Sequence, residues 1–274
     1  MTIKEDTMTS EPLLGAGDPA PFTWINLDAG GEVLLTCDHA SCAVPASLDG
    51  LGLSRDELRR HIGWDIGIED VVRRMAAMMA APAIVAGFSR LVIDLNRPHD
   101  STRQPGSIPE VSDHTAVPAN KGISTADAEA RADALFRPYH NQIIAKLDAM
   151  QAGGVVPAYI AMHSFTPVMD GFERPWHIGV CWEHDGRIPV PMIAALRENP
   201  DLCVGDNEPY AIEADSDYGI PVHAAGRGLP HLLIEIRQDL IAEEAGQARW
   251  ADIMVDALGK VLADRSIFAI KHFG

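Results

Sequence analysis

Five short apolar runs, rich in β-branched residues, are set between segments with helical periodicity, and this alternation constrains the fold more than any other feature. The runs are VLLTC at 33–37, APAIVA at 81–86, AYIAM at 158–162, IGVC at 178–181 and LLIEI at 232–236. A run of four or five apolar residues without polar interruption reads as a strand buried on both faces. Between the first two runs, Ile68, Val71, Val72, Met75 and Met79 fall on one helical face in a segment that starts at Trp64. Ser54 with Glu57 gives a capping box, and Ser124 with Asp127 opens a helix that Pro138 should kink. Further helices are expected near residues 191–197 and 243–262, and residues 89–95 read as another strand. Strands alternating with helices predict an α/β fold: a single domain with a mixed, largely parallel central sheet covered by helices on both faces. Residues 1–30, rich in Pro, Gly, Ser, Thr and acid, read as a loosely ordered leader, and 31–274 as the catalytic domain. Residues 98–122 carry four prolines and no periodicity, the pattern of a functional loop that folds over a site.

Composition narrows the function. Of 274 residues 47% are hydrophobic, enough for a large core, and the formal net charge is -17. A surplus of acid argues against nucleic acid and against anionic lipid as partners. Four scattered cysteines, no signal-peptide pattern and no long apolar stretch point to the cytoplasm. No GxGxxG, P-loop or GxSxG motif occurs, which leaves nucleotide binding and serine hydrolysis without support.

In an open α/β sheet the site lies at the carboxyl ends of the strands. Cys37-Asp38-His39 ends the first strand, the segment 89–95 carries Arg90 at its start and Asp94, Asn96 and Arg97 at its end, His163-Ser164 follows the third run, and Glu235, Arg237 and Asp239 close the last. Two histidines, a carboxylate and arginines suit a zinc hydrolase, in which three protein ligands leave one position to water and a further carboxylate moves its proton. By alternation alone, Glu235 reads equally well as an outward residue salt-bridged with its neighbours.

The ordered set CDHAS, HIGWDIG, SRLVIDLNRP, FRPYH, MHSFTP, DNEPY and LIEIRQDL, spanning about Val33 to Leu262, resembles the N-formylglutamate amidohydrolase family. The resemblance implies a zinc-carboxypeptidase-like fold and a single zinc ion. It implies His39, Asp65 and His163 as ligands, Glu235 as general base and Arg90 as the group that polarises the carbonyl. Asn96 and Arg97, with Arg237 beside them, would bind the substrate. Relatives of the carboxypeptidase type use HxxE for the first two ligands. Here Cys42 stands three positions after His39, so the carboxylate must come from elsewhere, with Asp38 and Cys42 as alternatives to Asp65. The expected reaction is hydrolysis of an N-formyl or other N-acyl amino acid, a small anionic substrate such as N-formylglutamate. The alternatives are a zinc peptidase or deacylase of other acyl specificity, or a metal-free binding relative. Arg103 joins the arginines gathered near the strand ends. The rival reading pairs these arginines with Asp94, Asp100 and Asp239. His223, Arg227 and His231 stand before the last strand as further candidates for the pocket wall, and Tyr139 reads as core, with His140 as a residue behind the site.

Overall fold

The expected strands form with one exception, residues 89–95, and two of the differences from expectation matter to the site. The computed structural model describes residues 12–99 and 106–273. In chain order the strands are β1 (Phe22–Ile25), β2 (Val33–Cys37), β3 (Ala83–Ala86), β4 (Val111–Ser112), β5 (Thr115–Ala116), β6 (Ala158–Phe165), β7 (Val168–Met169), β8 (Phe172–Glu173), β9 (Ile178–Cys181), β10 (Val204–Asp206) and β11 (His231–Arg237). The helices are α1 (Arg55–Leu58), α2 (Ile68–Met79), α3 (Thr125–Arg131), α4 (Arg137–Ala152), α5 (Pro189–Arg197) and α6 (Glu244–Leu262).

Seven strands form one sheet in the order β1-β3-β2-β6-β11-β9-β10, while β4–β5 and β7–β8 are separate small hairpins. The pairs β3–β2, β2–β6, β6–β11 and β9–β10 are parallel, and β1–β3 and β9–β11 are antiparallel. The chain is thus a single α/β domain on a mixed, mostly parallel sheet. Alternate residues serve opposite layers. Leu35, Ile160, Met162, Leu232 and Ile234 pack with α2, α5 and α6. Leu34, Tyr159, Ala161 and Leu233 pack with Leu135, Tyr139 and Ile143 on the other face. Among the described residues no helix is long and apolar enough to cross a membrane.

Residues 1–11 lie outside the described residues, but the expected loose leader gives way at Phe22–Ile25, which adds an edge strand to β3. Its FTWI sequence is a strong β former hidden in a Pro- and Gly-rich context. The expected strand at 89–95 is absent. Leu91, Val92 and Ile93 are buried as their apolarity requires, but the backbone turns. Ser89 Oγ accepts from Leu91 N, and Asp94 Oδ1 from Asn96 N. Side chains that capture nearby amides in this way compete with a ladder.

Helix α2 begins at Ile68, later than the apolar pattern suggested, and the four residues before it form a turn that carries Asp65. Gly67 ends that turn at φ +79°, and a Cβ there would stand 2.0 Å from the Ile241 carbonyl oxygen. Only glycine fits. The kink expected at Pro138 takes the form of a π turn, Ala132–Phe136, between α3 and α4. Pro138 follows directly in α4, where the π turn has shifted the preceding bond, Arg137 N–H to Ala132 O, out of the regular ladder.

Candidate active site

The parallel strands β2, β6 and β11 deliver their polar ends to one side of the sheet. His39 follows β2, His163 lies in β6, and Glu235 lies in β11 directly opposite His163 in the ladder. Glu235 is 9% exposed and its Oε2 has no hydrogen-bond partner. It is therefore not the outward salt-bridged residue that alternation allowed, because this sheet is covered on both faces. The three residues line a cavity of about 540 Å³, with Asp65, Arg90, Asp94, Asn96 and Arg97 also in its wall.

Asp65 is tied down by its own backbone, whose N–H donates to His39 O at 2.9 Å. Its Oδ2 lies 3.0 Å from His163 Nδ1 and 3.5 Å from His39 Nδ1, and accepts from Ser164 N at 3.2 Å. Ligand atoms of these three residues all lie within 4.8 Å of one another. Atoms sharing a tetrahedral zinc ion at 2.0–2.2 Å stand roughly 3.4 Å apart, so the set fits one such ion. His39 Nδ1, buried and without a hydrogen-bond partner, is a ligand atom left open. The far nitrogen of the same ring, Nε2, is held by Asp94 Oδ1 at 2.8 Å, the arrangement that fixes the tautomer of a metal-binding histidine. Arg90 grips Asp94 Oδ2 through Nε and Nη2 at 3.1 and 2.7 Å, while Nη1 stands 3.6 Å from Asp65 Oδ1.

Burial and charge set the protonation of the metal-free site. Desolvation pushes the Glu235 carboxyl up to about 7; the positive charge of His163 opposes this and the negative charge of Asp65 adds to it. For His163, burial disfavours the charged ring, but the hydrogen bond and charge of Asp65 outweigh it and raise the pKa to about 9. His39 is raised as well: Asp94 and Asp65 overcome burial and Arg90. Burial would raise the Asp65 carboxyl, yet the two histidines hold it well below the usual range. A carboxylate poised near neutrality beside one held ionised is the division expected of a proton carrier and a ligand.

The family model of N-formylglutamate amidohydrolase matches residues 31–242. The chain belongs to the N-formylglutamate amidohydrolase family. Among solved structures it is similar to gene product Atu2144 from Agrobacterium tumefaciens, at 35% identity over 93% of this chain and 99% of that chain, with a TM-score of 0.88. It shares the fold of the N-formylglutamate amidohydrolase from Ralstonia eutropha JMP134, at 20% identity over 90% of this chain and 99% of that chain, with a TM-score of 0.67. No curated protein matches the chain. Membership of this family makes the protein an amidohydrolase, acting on C–N bonds.

Against the residues expected of such an amidohydrolase, His39, Asp65, Arg90, Asn96, Arg97, His163 and Glu235 converge on one cavity. Arg237 does not join them. Its guanidinium turns to Asp239 at 2.8 Å and to the Arg174 carbonyl, and it is absent from the cavity wall. Asn96 and Arg97 already hold partners. Asn96 Oδ1 accepts from Tyr218 N and Gly219 N, its Nδ2 donates to Asp217 Oδ1 at 3.3 Å, and Arg97 Nη1 lies 3.0 Å from Ser216 O and 3.5 Å from Asp217 Oδ1. The rival pairing of arginines with nearby acids is thus realised for Arg90 with Asp94 and for Arg237 with Asp239, while Arg97 lies beside Asp217, an acid that pairing did not include. Asp100 and Arg103 lie outside the described residues. Of the alternatives to Asp65, Asp38 stands behind His163 and Cys42 is not in the metal-ligating group. His223, Arg227 and His231 do not line the cavity: His223 packs on His140, Arg227 binds Asp148, and His231 bonds the Leu229 carbonyl.

The roles of two wall residues carry no signal in the sequence. Asp94 is legible as a polar residue at a strand end and as a counterion for arginine, but its grip on His39 joins residues 55 apart in the chain. Asp217 comes from the acidic run Glu213-Ala-Asp-Ser-Asp217, which carries no local signal of a contact with Asn96 and Arg97.

Proposed function

We propose that the protein hydrolyses the amide bond of an N-acyl amino acid, N-formyl compounds such as N-formylglutamate in the first place, at one zinc ion held by His39, Asp65 and His163. The observation that carries this reading is the ladder pairing of Glu235 with His163, which sets an unpartnered buried carboxylate beside three converging ligand atoms. When bound, the ion would polarise the scissile carbonyl and lower the pKa of a water at the site. Glu235 takes the proton of the attacking water and returns it to the leaving nitrogen, a role suited to a carboxyl raised to about 7. Arg90, fixed by Asp94 in the cavity wall, stabilises the charge that develops on the carbonyl oxygen. Arg97, with Asn96, receives the substrate carboxylate, displacing or sharing the long contact with Asp217. A cytoplasmic location and a small-molecule substrate belong to the same reading, in keeping with four free thiols.

A deacylase of larger acyl groups is the second reading, favoured by a cavity of about 540 Å³, which has room for more than a formyl group. A panel of N-formyl and N-acetyl amino acids, assayed with zinc-loaded and chelated protein, decides between them. Zinc-dependent release of formate supports the first reading and preference for longer acyl groups the second. No hydrolysis by the zinc-loaded protein would sink both.

A further inference from the structure

Asp38 immediately precedes His39, and its side chain is almost fully buried. Its Oδ1 accepts a hydrogen bond from the Tyr139 hydroxyl at 2.6 Å. Its Oδ2 has no hydrogen-bond partner and faces His163 Nε2 at 3.8 Å, and that nitrogen has none either. Two complementary polar atoms left open at full burial are costly unless something joins them.

Proton counting supplies the reason for their juxtaposition. His163 Nδ1 points to Asp65 Oδ2 at 3.0 Å, on the side where His39 Nδ1 also converges. If Nδ1 ligates an ion, the neutral ring must carry its proton on Nε2, and a buried N–H needs an acceptor. The unpartnered Asp38 Oδ2 is in place to be that acceptor. The other histidine is built in the same way, with Asp94 Oδ1 on His39 Nε2 at 2.8 Å. Gly219 leaves room beside the carboxylate, since a Cβ there would stand 3.4 Å from Asp38 Oδ2 and 3.5 Å from Tyr159 Oη.

We propose that Asp38 is the positioning residue of His163. Its carboxylate accepts a hydrogen bond from Nε2–H, directly after closing by about 1 Å or through one bridging water, and so fixes Nδ1 as the ligating nitrogen. Tyr139 holds the carboxylate in that orientation from the far side. Asp38 is then not a ligand but the group that makes His163 one. The inference rests on the reading that His39, Asp65 and His163 hold the ion.

Zinc affinity, measured by competition with a chromogenic chelator, and the ring tautomer of His163, read by nitrogen-15 NMR of the zinc-loaded protein, test it. Asp38→Asn keeps the size of the side chain but removes its charge, and should weaken zinc binding by about 10–100-fold while circular dichroism of the metal-free protein stays unchanged. Tyr139→Phe should weaken binding in the same direction and by less. In the zinc-loaded wild type the His163 proton should sit on Nε2 and be protected from solvent exchange, and that protection should be lost in Asp38→Asn. Unchanged affinity in a folded Asp38→Asn, or a wild-type His163 that keeps its proton on Nδ1, overturns the role of Asp38. Should Asp38→Asn fail to fold, the wild-type tautomer decides alone. A wild-type protein that takes up no zinc overturns the underlying metal reading as well.

Discussion

Glu235 and His163 sit side by side, yet their protons answer to different forces. Burial raises the glutamate, and Asp65 raises the histidine. Glu235→Gln keeps the shape and removes the proton acceptor, so turnover should fall about 10²–10⁴-fold with zinc content unchanged by elemental analysis. Loss of zinc together with activity would make Glu235 a ligand instead. Zinc uptake itself should depend on pH with a definite sign. With a pKa near 9 in the metal-free protein, His163 is protonated at neutrality and must give up that proton to bind metal. Affinity therefore rises with pH between about 6 and 8, by roughly tenfold per unit for each proton displaced. Calorimetry in buffers of different ionisation enthalpy should detect at least one proton released near neutrality. Binding indifferent to both pH and buffer would show that His163 carries no displaceable proton near neutrality. His163→Ala, leaving one imidazole and one carboxylate, should purify without metal.

The elements around these residues explain how much of the site could be read in advance. Residues at the ends of regular strands were legible: VLLTC running into His39, and AYIAM running into His163, combine a buried apolar run with an abrupt polar ending. The ladder partner of Glu235 was not, because the alternation of Ile234, Glu235 and Ile236 is the same whether the second face meets water or a helical layer. Residues 89–95 misled for a related reason. Their apolarity signals burial, but Ser89 and Asp94 capture the amides that a strand would have needed. The Asp65 turn depends on Gly67, so Gly67→Ala should cost at least about 2 kcal/mol through strain and the clash with Ile241 O. Thermal unfolding of the metal-free protein reads that cost, and unchanged stability would mean that the turn can relax. Within the proline-rich segment, Gly106, Pro109, Val111, Ser112 and Asp113 line the cavity. Proteolysis within residues 98–122 should therefore slow when a competitive inhibitor is bound, and equal cleavage with and without it would count against a cover.

For the whole molecule, a formal charge of -17 surrounds a cavity proposed to receive an anion. Like charges repel at long range, and salt screens them beyond about 10 Å at 0.1 M. For an anionic substrate, kcat/KM should accordingly rise by a factor of a few from low to physiological ionic strength, while an amidated analogue stays flat. If activity on the free acid falls with salt, the local field of Arg90 and Arg97 dominates the approach. Arg97→Met should mainly raise KM for the free acid and leave the amidated analogue little changed. The pairing of Glu235 with His163 in neighbouring parallel strands has one more consequence. A slip of one residue in β11 would turn Glu235 into the layer of α2 and α6, so its place beside His163 is fixed by the main-chain ladder. The outer cavity wall comes instead from the hairpins β4–β5 and β7–β8 and the run from Pro209 to Asp217, where sequence change does not disturb the ladder. Reactivity and selectivity are therefore separable modules, and exchanging these segments with those of another family member would be expected to change which molecule is cut while leaving the cutting machinery intact.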